Sequence, residues 1–342
     1  MAPEDGPGIT VGEPFVISRS NGRHWFPTLG RLSPERLLVK IWCAEDAIDP
    51  ANTRSAYCWT LDGGLTWSRP IDERDIGHSW VRLRDGRCLA MSYCTLYTGE
   101  STCSCGVGLS YEGLNYGWSR GSVDLAPLRL GHWGTGGAAS VVFARSILEM
   151  PDGSLLATMY GRFEGDALDR SVVVRSTDGG RAWRYLATVG YDATVGGEGL
   201  NEPCMVRLPG GDLYCVMRNA SGKPMWSARS GDDGHTWSTP QRMADQALSV
   251  FADLLVMSSG VLACSSGRPG CRLMFSPDGT GERWTAATTI FDGPSTCYTA
   301  IAEVAPGKLL YVYDSVPTGW EQPRPDVFQE IRGVFITVDR AE

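Results

Sequence analysis

The chain has 342 residues, with 31 Lys and Arg against 39 Asp and Glu and a formal net charge of −8 at pH 7. That balance argues against general binding to nucleic acid or to an anionic membrane, and no run of 18 apolar residues is present to cross a bilayer as a helix. Glycine (42) and tryptophan (12) are frequent and charged residues make up only 20%, which suits many short strands joined by tight turns. A chain of this length buries roughly three quarters of its unfolded surface and needs no staples. The polar, acidic start at 1–6 leads us to expect no secretory signal. The odd count of 11 Cys fits no zinc spacing, so no metal or other cofactor is expected and reduced buried thiols are the default. Cys264 and Cys271 are the pair that a hairpin would bring face to face. Reduced thiols lean toward a cytoplasmic setting; an exported protein that has lost its signal is the alternative.

Taken in chain order, two kinds of turn alternate. A spare apolar strand at 9–18 comes first, then the turn Leu32-Ser33-Pro34-Glu35-Arg36-Leu37. The segment Thr60-Leu61-Asp62-Gly63-Gly64-Leu65-Thr66-Trp67 follows, a box of the form Ser/Thr-x-Asp-x-Gly-x-Thr-Trp. Glycine-containing turns at 83–89, 150–155, 208–213, 257–262 and 304–309 then interleave with further boxes. Ser176-Thr177-Asp178-Gly179-Gly180-Arg181-Ala182-Trp183 and Ser230-Gly231-Asp232-Asp233-Gly234-His235-Thr236-Trp237 keep the spacing, and the copies at 110–118 and 276–284 are looser. Asp-Gly and Gly-Gly supply the positive φ of a tight hairpin, and a short acceptor can bond the turn's own N–H groups. The Trp then packs as an apolar plug in the next strand. Repetition about every 50 residues is the period of propeller blades.

Each glycine turn joins the first two strands of a blade and each box the last two. This reading gives blades at 25–72, 78–124, 140–190, 201–243 and 251–290, and a sixth with strands near 298–304, 308–314 and 331–338. The front strand supplies the missing fourth strand of the last blade, which removes two free edges. The expectation is therefore an all-β chain, one domain over 1–342: a six-bladed β-propeller of four-stranded antiparallel blades, closed by strands from both termini. Loops at 95–104, 125–139, 191–200 and 315–330 decorate it.

The first strands of a propeller line its axis, so residues at their starts converge. These are Trp25, Phe26, His78, Trp80, Asn201, Glu202, Phe251, Asp253, Tyr298 and Thr299, with Arg145 deeper in its strand. Ends of second strands add Asp46, Asp49, Arg162, Arg218, Arg268 and Asp314. Aromatic faces that stack on pyranose C–H surfaces, beside carboxylates for acid–base work, suit a sugar.

The boxes, the blade count and three local motifs together resemble the sialidase (neuraminidase) superfamily of Asp-box (BNR) propellers. Asn201-Glu202-Pro203 followed by Arg218 resembles the segment with a glutamate and the second arginine of a carboxylate-binding triad. Arg268, ahead of the fifth box, matches the third arginine. Cys297-Tyr298-Thr299-Ala300-Ile301, leading to Tyr313-Asp314, resembles the segment with a tyrosine nucleophile. The resemblance implies a retaining exo-glycoside hydrolase in which Glu202 draws the proton from Tyr298, with Asp49, or failing it Asp46, as acid/base. The chain departs at the family's first arginine: its Arg-Ile-Pro motif is Trp25-Phe26-Pro27 here. Arg23 has the strand parity to substitute, and Trp25 the ring to stack on a neutral sugar.

Three functions compete on these residues. They are a sialidase-like exo-glycosidase, a related propeller hydrolase or lyase for another sugar, and a non-catalytic propeller that binds glycans or proteins. The expected substrate-binding set is Arg218, Arg268, Trp25, Arg23, His78, Arg145, Arg162 and Asp253, with a glycan as the partner and neither nucleic acid nor membrane.

Overall fold

The computed structural model of the chain describes residues 6–47, 53–72, 77–131, 137–248 and 250–339. Among these described residues the regular structure is all strand. The box turns show why. In the 60–67 turn, Asp62 accepts the N–H of Thr66 at 2.9 Å on one carboxylate oxygen and its hydroxyl at 2.5 Å on the other. The Thr60 hydroxyl accepts the Gly64 N–H at 3.0 Å, and Trp67 Nε1 donates to the Gly64 carbonyl at 3.0 Å. The boxes at 176–183, 230–237 and 276–284 repeat the Trp-to-glycine bond at 2.8, 3.1 and 2.9 Å. The loose copy at 110–118 lacks it: Trp118 Nε1 is buried without a partner. Gly64 sits at φ +94°, where a Cβ would press within 3.1 Å of Leu310, so both conformation and space require glycine.

Three sheets are four-stranded and antiparallel. They contain β3 (Trp25–Arg31), β4 (Leu37–Trp42), β5 (Ser55–Thr60) and β6 (Ile71–Asp72); β16 (Asn201–Arg207), β17 (Leu213–Arg218), β18 (Trp226–Ser230) and β19 (Gln241–Arg242); and β20 (Asp253–Val256), β21 (Leu262–Gly267), β22 (Cys271–Ser276) and β23 (Thr288–Phe291). A fourth joins β24 (Ala300–Ala305), β25 (Lys308–Ser315) and β26 (Gln329–Val338) to strands from the front of the chain. Both β1 (Ile9–Val11) and β2 (Phe15–Ser20) pair antiparallel with β26.

The remaining nine strands form one sheet, and this corrects the expected architecture of six separate four-stranded blades. The propeller is all-β, but its strands are bonded into four blade-sized sheets and a nine-stranded one. That sheet contains β7 (Ser79–Arg82), β8 (Cys88–Met91), β9 (Cys94–Gly99), β10 (Thr102–Ser110) and β11 (Gly117–Asp124). It continues through β12 (Ala138–Glu149), β13 (Leu155–Gly161), β14 (Arg170–Ser176) and β15 (Ala182–Gly190). The residues assigned to a decorating loop at 95–104 are instead a hairpin, whose β9 edge pairs antiparallel with β12 through Cys94↔Val142 and Leu96↔Ala138. At the outer side β11 pairs parallel with β15 over 122–124 and 182–184. Exposed strand edges seek partners, and here the two repeat units supply each other's.

Apolar side chains fill the spaces between sheets. Val39 and Ile41 of β4 cluster with Leu310 and Val312 of β25, for example. Second strands such as β4 are buried along their whole length, so they read as continuous apolar runs. The inner strands pack side by side around the axis, β3 against β7, β7 against β12, then β16, β20 and β24, which returns to β3. Each inner strand therefore starts at one end of the axis and finishes at the other. All eleven cysteines are free. Cys264 and Cys271 do not face each other, because Cys264 is opposite Met274 and Cys271 opposite Gly267.

Candidate active site

A pocket of about 550 Å³ opens at the end of the axis where the inner strands begin. Tyr298, just ahead of β24, donates its hydroxyl proton to Glu202 Oε1. The same oxygen accepts Arg218 Nη1 at 3.0 Å, and Glu202 Oε2 accepts the Phe251 N–H at 2.9 Å. Glu202 is only 5% exposed, so these partners carry the solvation its charge loses. Burial pushes the Tyr298 phenol well above its ordinary value; the Glu202 charge adds to this and Arg218 opposes it. The tyrosine is thus held protonated, with an acceptor for its proton already in contact. Burial opposes the Arg218 charge, but Glu202, Tyr298 and Glu198 more than offset it.

The backbone is strained where it delivers these groups. Of the six described non-glycine residues with positive φ, four surround the pocket: Phe26 (51°), Glu202 (44°), Arg268 (67°) and Cys297 (62°). Such conformations cost about 1–3 kcal/mol each and persist where the surroundings over-determine them. Asp314, fully buried, is one such anchor. It accepts N–H groups from Thr296 at 2.8 Å and Phe26 at 2.9 Å and the Ser295 hydroxyl at 2.7 Å. It ties the segment before Tyr298 to the start of β3, and it does so from outside the pocket.

Asp46 lies at the mouth of the pocket. The protein packed around its carboxyl and the nearby Glu202 charge raise its pKa, against the pull of Arg268 and Arg218. Asp49 lies outside the described residues. Arg268 reaches Ser221 Oγ at 3.0 Å, and Arg218 touches the same hydroxyl at 3.4 Å. Arg162 is paired with Asp169 at 3.0 Å. His78, held far below its ordinary pKa by burial and then by Lys40 and Arg145, is a neutral wall residue.

Four of the expected substrate-binding residues lie elsewhere. Trp25 is 1% exposed; it stacks on Phe26 at 4.7 Å and donates to the Ala44 carbonyl, so Phe26 presents its ring to the pocket instead. Arg23 turns outward to the Glu321 carbonyl at 2.6 Å and lies over the Trp25 ring. Arg145 and Asp253 sit further down the axis, 3.5 Å apart. For this last pair the physical reason is depth. Strand parity places a side chain toward the axis, but distance along the strand decides which end it meets. The pocket also contains residues that sequence reasoning did not single out: Trp42, Tyr93, Tyr160, Asp169, Glu198 and Trp320. Tyr93 and Tyr160 share a 2.8 Å hydroxyl contact. The signal for Trp42 and Tyr160 was their place at the ends of second strands; Glu198 and Trp320 come from loops and had none. Among the described residues no group of three His, Cys, Asp or Glu side chains is placed to hold a metal ion.

The BNR repeat-like domain family matches residues 124–318, more than half of the chain. No curated protein matches the sequence. Among solved structures, a protein of unknown function from Dyadobacter fermentans superposes with TM-score 0.73 at 20% identity, over 97% of this chain and 100% of that one. An α-L-arabinanase from Penicillium chrysogenum, complexed with arabinobiose, gives 0.67 at 15% identity over 96% and 98%. The NanB sialidase from Streptococcus pneumoniae gives 0.64 at 12% identity over 96% and 70%. At these identities the likeness establishes a shared propeller fold.

Proposed function

From a chain that belongs to the BNR repeat-like domain family, we propose a retaining exo-glycoside hydrolase acting on a terminal sugar without a metal. The observation that carries this is the Tyr298 hydroxyl bonded to the Glu202 carboxylate, with Arg218 on the same oxygen, in a pocket that Asp46 also lines. Tyr298 Oη attacks the anomeric carbon as its proton passes to Glu202, and Asp46 protonates the departing glycosidic oxygen. Water then attacks the tyrosyl-linked sugar with Asp46 as base, and the proton on Glu202 returns to Tyr298 as that bond breaks. A phenol held against a carboxylate base is a poor nucleophile made adequate, because its unperturbed pKa of about 10 leaves it protonated otherwise.

The sugar we infer is neutral. The pocket is lined by four carboxylates, Asp46, Asp169, Glu198 and Glu202, against three arginines, Arg162, Arg218 and Arg268. Two of those arginines are already paired. Phe26 and Trp320 supply apolar ring faces, 5.7 Å between centroids. One observation favours an acidic sugar instead: Arg218 and Arg268 meet at Ser221 and together make a two-point cradle for a carboxylate. The solved arabinanase and sialidase of this fold support both readings. A panel of neutral α- and β-glycosides beside a sialoside separates them, with Tyr298→Phe as control. Release of a neutral sugar supports the first reading and release of sialic acid the second. Glycan binding without turnover would replace both with a lectin.

A further inference from the structure

A second cavity of about 230 Å³ lies further along the axis, below the pocket, and His78 belongs to the walls of both. We propose that this lower cavity binds a small oxyanion, such as inorganic phosphate, sulfate or a short carboxylate, through Arg145 and Trp80.

The inference starts from donors without acceptors. Arg145 is 7% exposed. Its Nη1 donates to the Thr299 carbonyl at 2.6 Å, but Nε and Nη2 are buried with no partner. Those two nitrogens form one edge of the guanidinium, with parallel N–H bonds at the spacing of two oxygens of a carboxylate or phosphate. An oxyanion gives each N–H its own oxygen, whereas a halide must share one atom between the two. Trp80 Nε1, in the same cavity, is also buried and unpartnered. Its position is built in: the indole lies over Gly30, where a Cβ would fall 1.9 Å from the ring.

Charge points the same way. Arg31, Arg82 and Arg145 line the cavity against a single carboxylate, Asp253. That carboxylate bonds Arg31 Nη2 at 2.5 Å and the Ile301 N–H at 2.9 Å and lies 3.5 Å from Arg145 Nη1, so two arginines share it. Within electrostatic reach of Arg145, Lys40 is fully buried; its Nζ lies 4.7 Å over the Trp42 ring and has no hydrogen-bond acceptor. Buried cations are ordinarily paired, and leaving hydrogen-bond donors unsatisfied is costly. An oxyanion on the Arg145 edge supplies the acceptor that Nε and Nη2 lack and adds negative charge where three arginines share one carboxylate. The cavity has room for it with several waters, each of about 30 Å³.

The test is thermal unfolding and calorimetric titration of the whole protein, with phosphate and, separately, acetate replacing chloride at constant ionic strength. The expected result is saturable binding and a rising Tm for the oxyanions. In Arg145→Lys, which keeps the charge and loses the parallel edge, affinity should fall about tenfold or more. Arg82→Ala, at the exposed rim, should weaken binding by a smaller factor. Because Arg218 and Arg268 of the upper pocket also attract anions, Arg268→Met serves as control and should keep the response. Should Arg145→Lys fail to fold, selenate soaked into crystals of the unaltered protein should give an anomalous peak between Arg145 and Trp80 Nε1. The proposal is overturned by equal Tm in all anions, by a response lost in Arg268→Met yet kept in Arg145→Lys, or by a cavity holding only water or halide.

Discussion

Asp62 in a box turn and Glu202 in the pocket are both carboxylates that accept hydrogen bonds from well-defined donors, but the donors come from different distances. Asp62 takes its bonds from Thr60 and Thr66, two and four residues away. Glu202 takes its bonds from Arg218, Phe251 and Tyr298, which are 16, 49 and 96 residues away. The first arrangement is a unit that its own eight residues specify. It recurs around the rim, and hydrogen bonds to the ionised form hold Asp62 and Asp232 near pKa 2. The second exists only once, is buried, and is delivered by backbone in strained conformations. The rim thus makes the fold, the proposed chemistry belongs to the axis, and substitutions should separate the two.

The largest separation is expected at Tyr298. Tyr298→Phe should lower turnover by more than about a thousandfold, since it removes the attacking oxygen, while leaving Tm near that of the parent. Unchanged kcat would sink the tyrosine mechanism. Asp46→Asn comes next, with a loss of about 10²–10⁴-fold in kcat. In the proposed mechanism Asp46 acts first as an acid, and its pKa is raised. Activity should therefore be full below that pKa and decline as pH rises through it, and the asparagine variant should lose this alkaline limb. A pH profile of the same shape in both proteins would assign the acid elsewhere.

At the rim the effects should reverse. Trp183 is 1% exposed and donates to Gly180. Trp183→Ala should cost about 3–5 kcal/mol of stability, read as a shifted denaturant midpoint, with kcat of the folded fraction retained. A collapse of kcat at full stability would break the contrast. Lys40 gives the smallest and most informative shift. Burial lowers its folded pKa from 10.5 to about 7. Between these values the unfolded chain binds more protons, so stability should rise with pH across the window. Lys40→Met should abolish that slope and raise Tm at neutral pH; a parallel slope in both proteins would mean that folded Lys40 keeps its proton across the window and burial does not depress its pKa.

How much of this was legible depends on the distance over which each feature is specified. The box turns, the alternating hairpins and the all-β propeller follow from motifs of six to nine residues, because Asp-Gly turns, their hydroxyl acceptors and the Trp plug act within one hairpin. The grouping of Glu202, Arg218, Arg268 and Tyr298 was readable because each stands at a strand end in a recognisable segment. The merging of two repeat units into a nine-stranded sheet was not. It depends on which edge the 94–110 hairpin meets once the repeats have packed. Nor was the division of the axis into two cavities. Parity turned Arg145 and Asp253 inward with Tyr298 and Glu202, but only assembled strands fix the depth at which each inward side chain stops. The sequence by itself determined the local hairpins and the chemical types that face the axis. The tertiary structure decided which of them meet, because contacts between residues 50 to 300 apart depend on how the sheets pack and not on any motif a single segment carries.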